Sequence, residues 1–443
     1  MLLEASVPGI FDQAAVYRHG GAMHVKPRPG ETTFRVRRPL MPRTPANAAA
    51  PRQPGSRNTM NSKTQPAAAP TDAPGAASRP IDQQVVFVLQ GGGALGAFQA
   101  GVYQALHEAG VEPDWAIGTS IGAINASIVA GNRPADRLPR LRQFWEQVGR
   151  HGPLELARLL SGGDSTMSNL ATLTQGIPGF FTPNPAAWLG TRVPLGVERA
   201  GFYSVSPLRD TLLSLVDFAY LGEQHTRLTV GMVNVRSGRM CYYTNRDTAL
   251  SVEHLLASAA LPPGFPAIRI DGEAFWDGGI CSNTPIEAVL DDHPRRSSVI
   301  FAVQLWPLQG PEPDTIWEAM GRQRDIQYSS RAETQLEHQR QLHRLRHVIR
   351  ELARHIPQAE RSTPAVEALL GWGCHTTMHV VELNAPSLGG EDLTKDIDFS
   401  AAGIDARWNA GYVHGKQAIA AAPWRGALDP IEGIAVHVAL TPA

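Results

Sequence analysis

The chain has 443 residues, 43% of them apolar, with 40 basic side chains against 41 acidic ones. That length holds one large α/β domain or two smaller ones. The near-zero balance excludes a global attraction to nucleic acid and leaves any membrane affinity to local patches.

Cys241, Cys281 and Cys374 are too widely spaced for a disulfide framework or a thiolate zinc site. No apolar run approaches the ~18 residues that span a bilayer. Met1 to Gln13 has no basic residue ahead of its short apolar stretch and does not read as a secretory signal. The expected compartment is therefore the cytoplasm.

Residues 1–80 stand apart. From Pro39 to Pro80 the chain is dense in Pro, Ala, Arg, Ser and Thr and nearly devoid of large apolar residues, a composition that cannot offset its ordering entropy. It reads as disordered, or as translated upstream sequence with Met60 as the true start. The expected organisation continues with a catalytic domain over 81–310 and a helical C-terminal extension over 311–443 packed on it.

Order begins at Gln84 to Leu89, an apolar β-branched run that predicts a buried strand. A glycine loop follows, then a helical pattern through Phe98, Val102, Leu106 and Ala109 that Gly110 stops. Trp115 to Ile117 predicts a second strand and Ile121 to Ala130 a second helix. Together these form a strand–helix–strand unit of the parallel-sheet kind. Residues 151–205 are rich in Gly and Pro, with Phe180, Phe181, Trp188 and Leu189 out of period, and read as a lid or a surface excursion.

Ser206-Pro207 predicts an N-cap and first helical residue, opening a helix through Leu208, Leu212 and Leu215. Strands are expected at Leu228 to Val233, Met240 to Thr244, Val299 to Val303 and Met378 to Leu383, with mostly helix from Ile316 to Ile356. The fold class is α/β, a central and mainly parallel sheet flanked by helices.

Gly118-Thr-Ser-Ile-Gly122 has the pattern G-x-S-x-G between a strand and a helix, the context in which a serine on a tight turn exposes its hydroxyl. A glycine-flanked serine that merely turns a βα corner is the alternative. Gly91, Gly92, Gly93, Ala94, Leu95 and Gly96 also follow a strand and open a helix. As a dinucleotide loop they would need an acidic residue at the end of the second strand, where Gly118-Thr119-Ser120 stands instead. As an oxyanion hole they suit a nearby nucleophile, because clustered backbone N–H groups and a helix N-terminus stabilise developing negative charge. Asp271-Gly272 is a hairpin signal, and the strand after it delivers Asp277 into Gly278-Gly279. A desolvated carboxylate there can act as a base.

The glycine loop, the Ser120 motif, residues 257–266 (Ala-Ser-Ala-Ala-Leu-Pro-Pro-Gly-Phe-Pro) and Asp277-Gly-Gly occur in an order that resembles the patatin-like phospholipases over about residues 84–304. The resemblance implies a Ser–Asp dyad of Ser120 and Asp277, an oxyanion hole from the loop amides, and lipid acyl esters as substrates, without a cofactor. Many members carry Arg or Lys where this chain has Leu95, which removes a charge suited to a phospholipid headgroup. Arg324 to Arg331 and Asp396 to Ser400 resemble an extension of some bacterial members. A histidine-based triad esterase and a non-catalytic lipid-binding protein remain the alternatives.

Leu342, Leu345, Ile349, Leu352 and Ile356 form an apolar stripe among Arg340, Arg344, Arg346, Arg350 and Arg354. Helix 340–356 is accordingly a candidate peripheral membrane contact, or a surface helix docked on its own core. The fifteen histidines show no HExxH or paired ligand spacing, so no metal is expected.

Overall fold

The computed structural model describes residues 81–149, 174–389, 391–429 and 431–438. The segment read as disordered, with Met60, lies outside them, as do residues 150–173 of the irregular insertion.

The first half alternates strand and helix: β1 (Gln84–Leu89), α1 (Ala97–Glu108), β2 (Trp115–Thr119), α2 (Ile121–Ala130) and α3 (Pro134–Val148). After two short paired strands, β3 (Thr182–Pro183) and β4 (Tyr203–Ser204), come α4 (Ser206–Leu215), β5 (Arg227–Asn234), β6 (Met240–Thr244), α5 (Val252–Ser258), β7 (Ile268–Ile270), β8 (Glu273–Asp277) and β9 (Ser298–Gln304). The C-terminal part supplies α6 (Ile316–Arg354), β10 (Met378–Asn384), α7 (Ala401–Ala421) and β11 (Ile434–Val438).

Apart from the β3–β4 pair, the strands form one sheet in the order β11-β10-β9-β1-β2-β5, parallel at every step, with antiparallel β6 and the β7–β8 hairpin added at β5. The expected α/β class is what the topology gives. A parallel sheet is covered on both faces, which is why β1 is one continuous apolar run. Val85, Phe87 and Leu89 feed a core cluster shared with α1 and α2. Val86 and Val88 feed a second cluster with Ile300, Val380, Ile434 and Leu336 of α6.

The C-terminal extension is therefore part of the sheet and not an appendage of helices. Its α7 packs along α1 through glycines: a Cβ on Gly101 would lie 1.9 Å from Trp408 O, and one on Gly411 would lie 2.0 Å from Phe98 O.

Two sequence expectations need correction. Ser206 is already helical and Val205 is the N-cap; the Ser206 amide bonds Ser204 Oγ at 3.3 Å. Of the two readings of the leucine stripe of α6, the one that docks it on its own core does not hold. Leu345 and Leu352 are about 60% exposed, whereas Leu336, Gln339, His343, His347 and Ala353 are buried. The polar members of that face find partners on the sheet side, Gln339 at Asp291 and both histidines at the Thr376 carbonyl, so hydrophobicity alone did not choose the docking side.

Candidate active site

The register of β5 brings the two proposed reactive residues together. Thr229 to Gly231 pair with both β2 and β6, and Met232 and Val233 pair with both β6 and β8. A strand has two edges, so β2 and β8 share one of them. β2 runs along it until Thr119 stands opposite Gly231. β8 arrives from the other direction and ends with Asp277 opposite Met232. The chain leaves β2 at Ser120, which meets Asp277 head-on.

Ser120 has φ 57° and ψ −129°, a conformation that costs a non-glycine residue on the order of 1–3 kcal/mol and must be held by its surroundings. Its amide donates to Ser258 O at 3.1 Å and lies 3.2 Å from Ser258 Oγ, while its carbonyl accepts from Ala123 and Ile124 of α2. Neither flanking glycine has room for a side chain. A Cβ on Gly118 would lie 2.3 Å from Gly122 C, and one on Gly122 would lie 2.1 Å from Leu89 O. The motif around residue 258 thus holds both Ser120 and Asp277, since Asp277 N also donates to Ala260 O at 3.0 Å.

Asp277 is 1% exposed. Its Oδ1 accepts from Gly279 N at 2.7 Å, and the Ser120 side chain lies close enough to lower its pKa. Burial raises its pKa to about 7, against the lowering pull of those two donors. Gly278 and Gly279 are packed against Gly231 O and Asn283 Oδ1, which leaves no space for a Cβ on either.

The glycine loop is held by a buried polar network. Gln90 accepts from Trp306 N at 3.1 Å and donates to Thr284 Oγ1 at 2.7 Å. Asn283 Nδ2 and Trp306 Nε1 both donate to Gly91 O, at 3.0 and 2.8 Å. This narrows the expected donor set. The Gly91 amide is spent on Asn283 O and the Leu95 amide on Gly92 O. Ala94 and Gly96 are buried behind the loop, where Asn125 Nδ2 bonds the Gly96 carbonyl at 3.0 Å. Gly92 and Gly93 line the cleft above Ser120 and have amides with no acceptor among the described residues.

A model described as patatin-like phospholipase matches residues 87–290, and one described as patatin phospholipase matches residues 326–431. The chain belongs to the patatin-like phospholipases. A curated relative, lysophospholipase nte1 of Aspergillus terreus, is 44% identical over 78 residues, which are 18% of this chain and 5% of that protein. Among solved structures, VipD from Legionella pneumophila is 16% identical with a TM-score of 0.33, over 76% of this chain and 66% of that one. ExoU of Pseudomonas aeruginosa in complex with SpcU is 19% identical with a TM-score of 0.23, over 58% and 52%.

In this patatin-like chain the cleft over Ser120 has a volume of about 260 Å³. One wall is aromatic: Phe181 packs on Tyr203 and Phe265, with centroids 4.8 and 5.5 Å away, and Phe180 packs on Phe399 at 5.5 Å. Pro262, Pro263 and Ile121 continue the apolar lining. Among the described lining residues there is no histidine and no basic side chain. Leu95 is buried in the core and does not face the cleft.

Sequence reasoning did not find the far wall. Tyr328, Asp396, Ile397 and Phe399 line it, and they fall in the two C-terminal motifs to which no chemistry was given. Asp396 O leaves no space for a Cβ on Gly93, which has φ +55°, and Arg324 bonds the Asp396 carboxylate. A histidine-based triad would need a histidine beside Ser120, and the three candidates downstream of it, His254, His293 and His375, stand elsewhere. His254 closes the capping box of α5, His293 bonds Asp291 O at 2.8 Å, and none of His254, His293 and His375 lines the cleft.

Proposed function

We propose that this chain is a serine acyl hydrolase that cleaves carboxylic esters of lipids through an acyl-Ser120 intermediate, with Asp277 as its base. The observation that carries the reading is the strand register that sets Ser120 head-on to the buried Asp277 carboxyl at the floor of an apolar cleft. Asp277 takes the hydroxyl proton as Ser120 Oγ attacks the ester carbonyl carbon. The negative charge that moves to the carbonyl oxygen is met by the Gly92 and Gly93 amides. Collapse breaks the bond to the alcohol, which leaves with the proton from Asp277. Water repeats the sequence on the acyl-serine and releases the fatty acid.

Family membership supports a lipid ester as substrate. An aromatic wall without a basic side chain favours recognition of the acyl chain over a phosphate headgroup, so lysophospholipids and neutral glycerides are both expected substrates. The exposed Leu345 and Leu352 support peripheral contact with the inner face of a membrane, although the neighbouring Arg344 and Arg354 are paired with Glu432 and Glu351. Among the described residues no helix is long and apolar enough to cross a membrane.

A fluorophosphonate probe tests the nucleophile. Wild type should be labelled once, on Ser120, and Ser120→Ala should lose both labelling and ester hydrolysis. Undiminished labelling of Ser120→Ala would move the nucleophile elsewhere.

A further inference from the structure

The buried face of α6 carries two histidines one turn apart, His343 and His347, which the sequence reading passed over when it found no paired ligand spacing. Both Nε2 atoms point at one carbonyl, each 2.9 Å from Thr376 O. Cys374, from the segment that enters β10, brings Sγ to 3.7 Å from His343 Nε2. The ligand atoms of the three side chains all lie within 4.8 Å of one another, and all three residues are buried.

We propose that His343, His347 and Cys374 bind a zinc-type divalent cation, with the Thr376 carbonyl at the fourth corner, and that this site fastens α6 to the β10–β11 edge of the sheet. Two imidazoles and a thiolate are the donor set that suits zinc. With Zn–N near ~2.1 Å and Zn–S near ~2.3 Å, a tetrahedron places nitrogen and sulfur about 3.6 Å apart, close to the separation found here. Gly433, at φ +66°, keeps the space open: a Cβ there would lie 2.6 Å from His343 Cδ2 and from His347 Nε2.

Arg295 and Arg346 are close enough to act on His343 electrostatically, and Asp291 pairs with Arg346 at 3.7 Å. His343 Nδ1 has no protein partner among the described residues, so packing orients the ring and the affinity is expected below that of a fully buttressed site.

The site is structural by position. β10 runs parallel to β9, β1 and β2; the cluster precedes the start of β10, whereas Ser120 follows the end of β2. The two lie at opposite ends of the sheet, so the cation takes no part in ester cleavage.

The test uses the full chain purified without a metal-affinity column. Elemental analysis and zinc titration against a chromogenic chelator should give one zinc per chain, and cobalt should give a thiolate-to-cobalt charge-transfer band. Cys374→Ser should lose that band, and His347→Gln, whose amide can still reach the Thr376 carbonyl, should weaken zinc by more than about 100-fold, beyond the cost of losing an outer-shell partner. Zinc should raise the melting temperature of wild type and leave that of both variants unmoved, with fluorophosphonate labelling of Ser120 unchanged throughout. Two results would overturn the site: wild type that binds no stoichiometric zinc, which would leave a hydrogen-bonded histidine pair, or variants that bind it as tightly as wild type.

Discussion

A carboxyl 1% exposed, facing one hydroxyl and one amide, is held in the fold against its own preference for water. Below the unfolded aspartate pKa, both states of the protein carry Asp277 protonated and it costs nothing. As pH rises from about 4 to about 7 the unfolded chain releases the proton while the fold retains it, so stability falls across that window and levels off above it. Asp277→Asn should remove the slope. The variant should be more stable than wild type at pH 8, by up to a few kcal/mol, and match it near pH 4, as chemical denaturation at the two pH values would measure. The same substitution should lower turnover by about 10²–10⁴-fold. In wild type, hydrolysis should rise with pH through about 7 as the base ionises. A variant that kept activity within about tenfold would return the base to a histidine. Ser120 and Asp277 were legible because their motifs carry their own backbone context. The donors of the glycine loop were less so: whether an amide is free depends on partners such as Asn283 O, which arrives from a distant part of the chain.

Among the elements, β1, α2 and β6 run over the residues expected for them, since each is a strong apolar pattern between clear breakers. The packed face of α6 was not legible, for the opposite reason. Two stripes share one period, and the one that packs is decided by what the sheet offers, here the Thr376 carbonyl for His343 and His347. The crossing of α1 and α7 was invisible because glycines carry no period at all. It is also testable by sign. Gly→Ala in an ordinary helix stabilises by about 0.5–1 kcal/mol, but at Gly411 the new methyl meets the Phe98 carbonyl. Gly411→Ala should instead cost about 1–3 kcal/mol, read as a lower melting temperature. Because α1 starts at the glycine loop, hydrolysis should fall with it; a stabilised variant would mean the helices are not in tight contact.

For the molecule as a whole, the extension is expected to be indispensable to the catalytic domain. β9 lies between β1 and β10, and all but its last residue are buried. A chain ending at Gly310 would turn β9 into an exposed apolar edge, a site for aggregation, and strip α7 from α1 and Phe399 from the cleft. Such a truncation should give insoluble protein without a cooperative thermal transition. Soluble truncated protein still labelled at Ser120 would make the extension an accessory. The sequence resemblance reached the extension at Arg324 to Arg331 and Asp396 to Ser400 but gave no sign of this dependence, because long-range strand pairing leaves no local trace.

The head-on meeting of β2 and β8 also sets which length changes the chain can accept. The distance between hydroxyl and carboxyl is counted off by the adjacent residues Gly231 and Met232 of β5, so the backbone ladder serves as its ruler. Extra residues in the Asp271-Gly272 turn are absorbed outside that ruler. A single residue removed from β8 is not, because side chains alternate faces along a strand. Such a deletion would draw Asp277 back opposite Val233, leave Gly278 in its place opposite Met232 and turn the carboxylate to the other side of the sheet, abolishing the pair while leaving both Ser120 and Asp277 in the sequence.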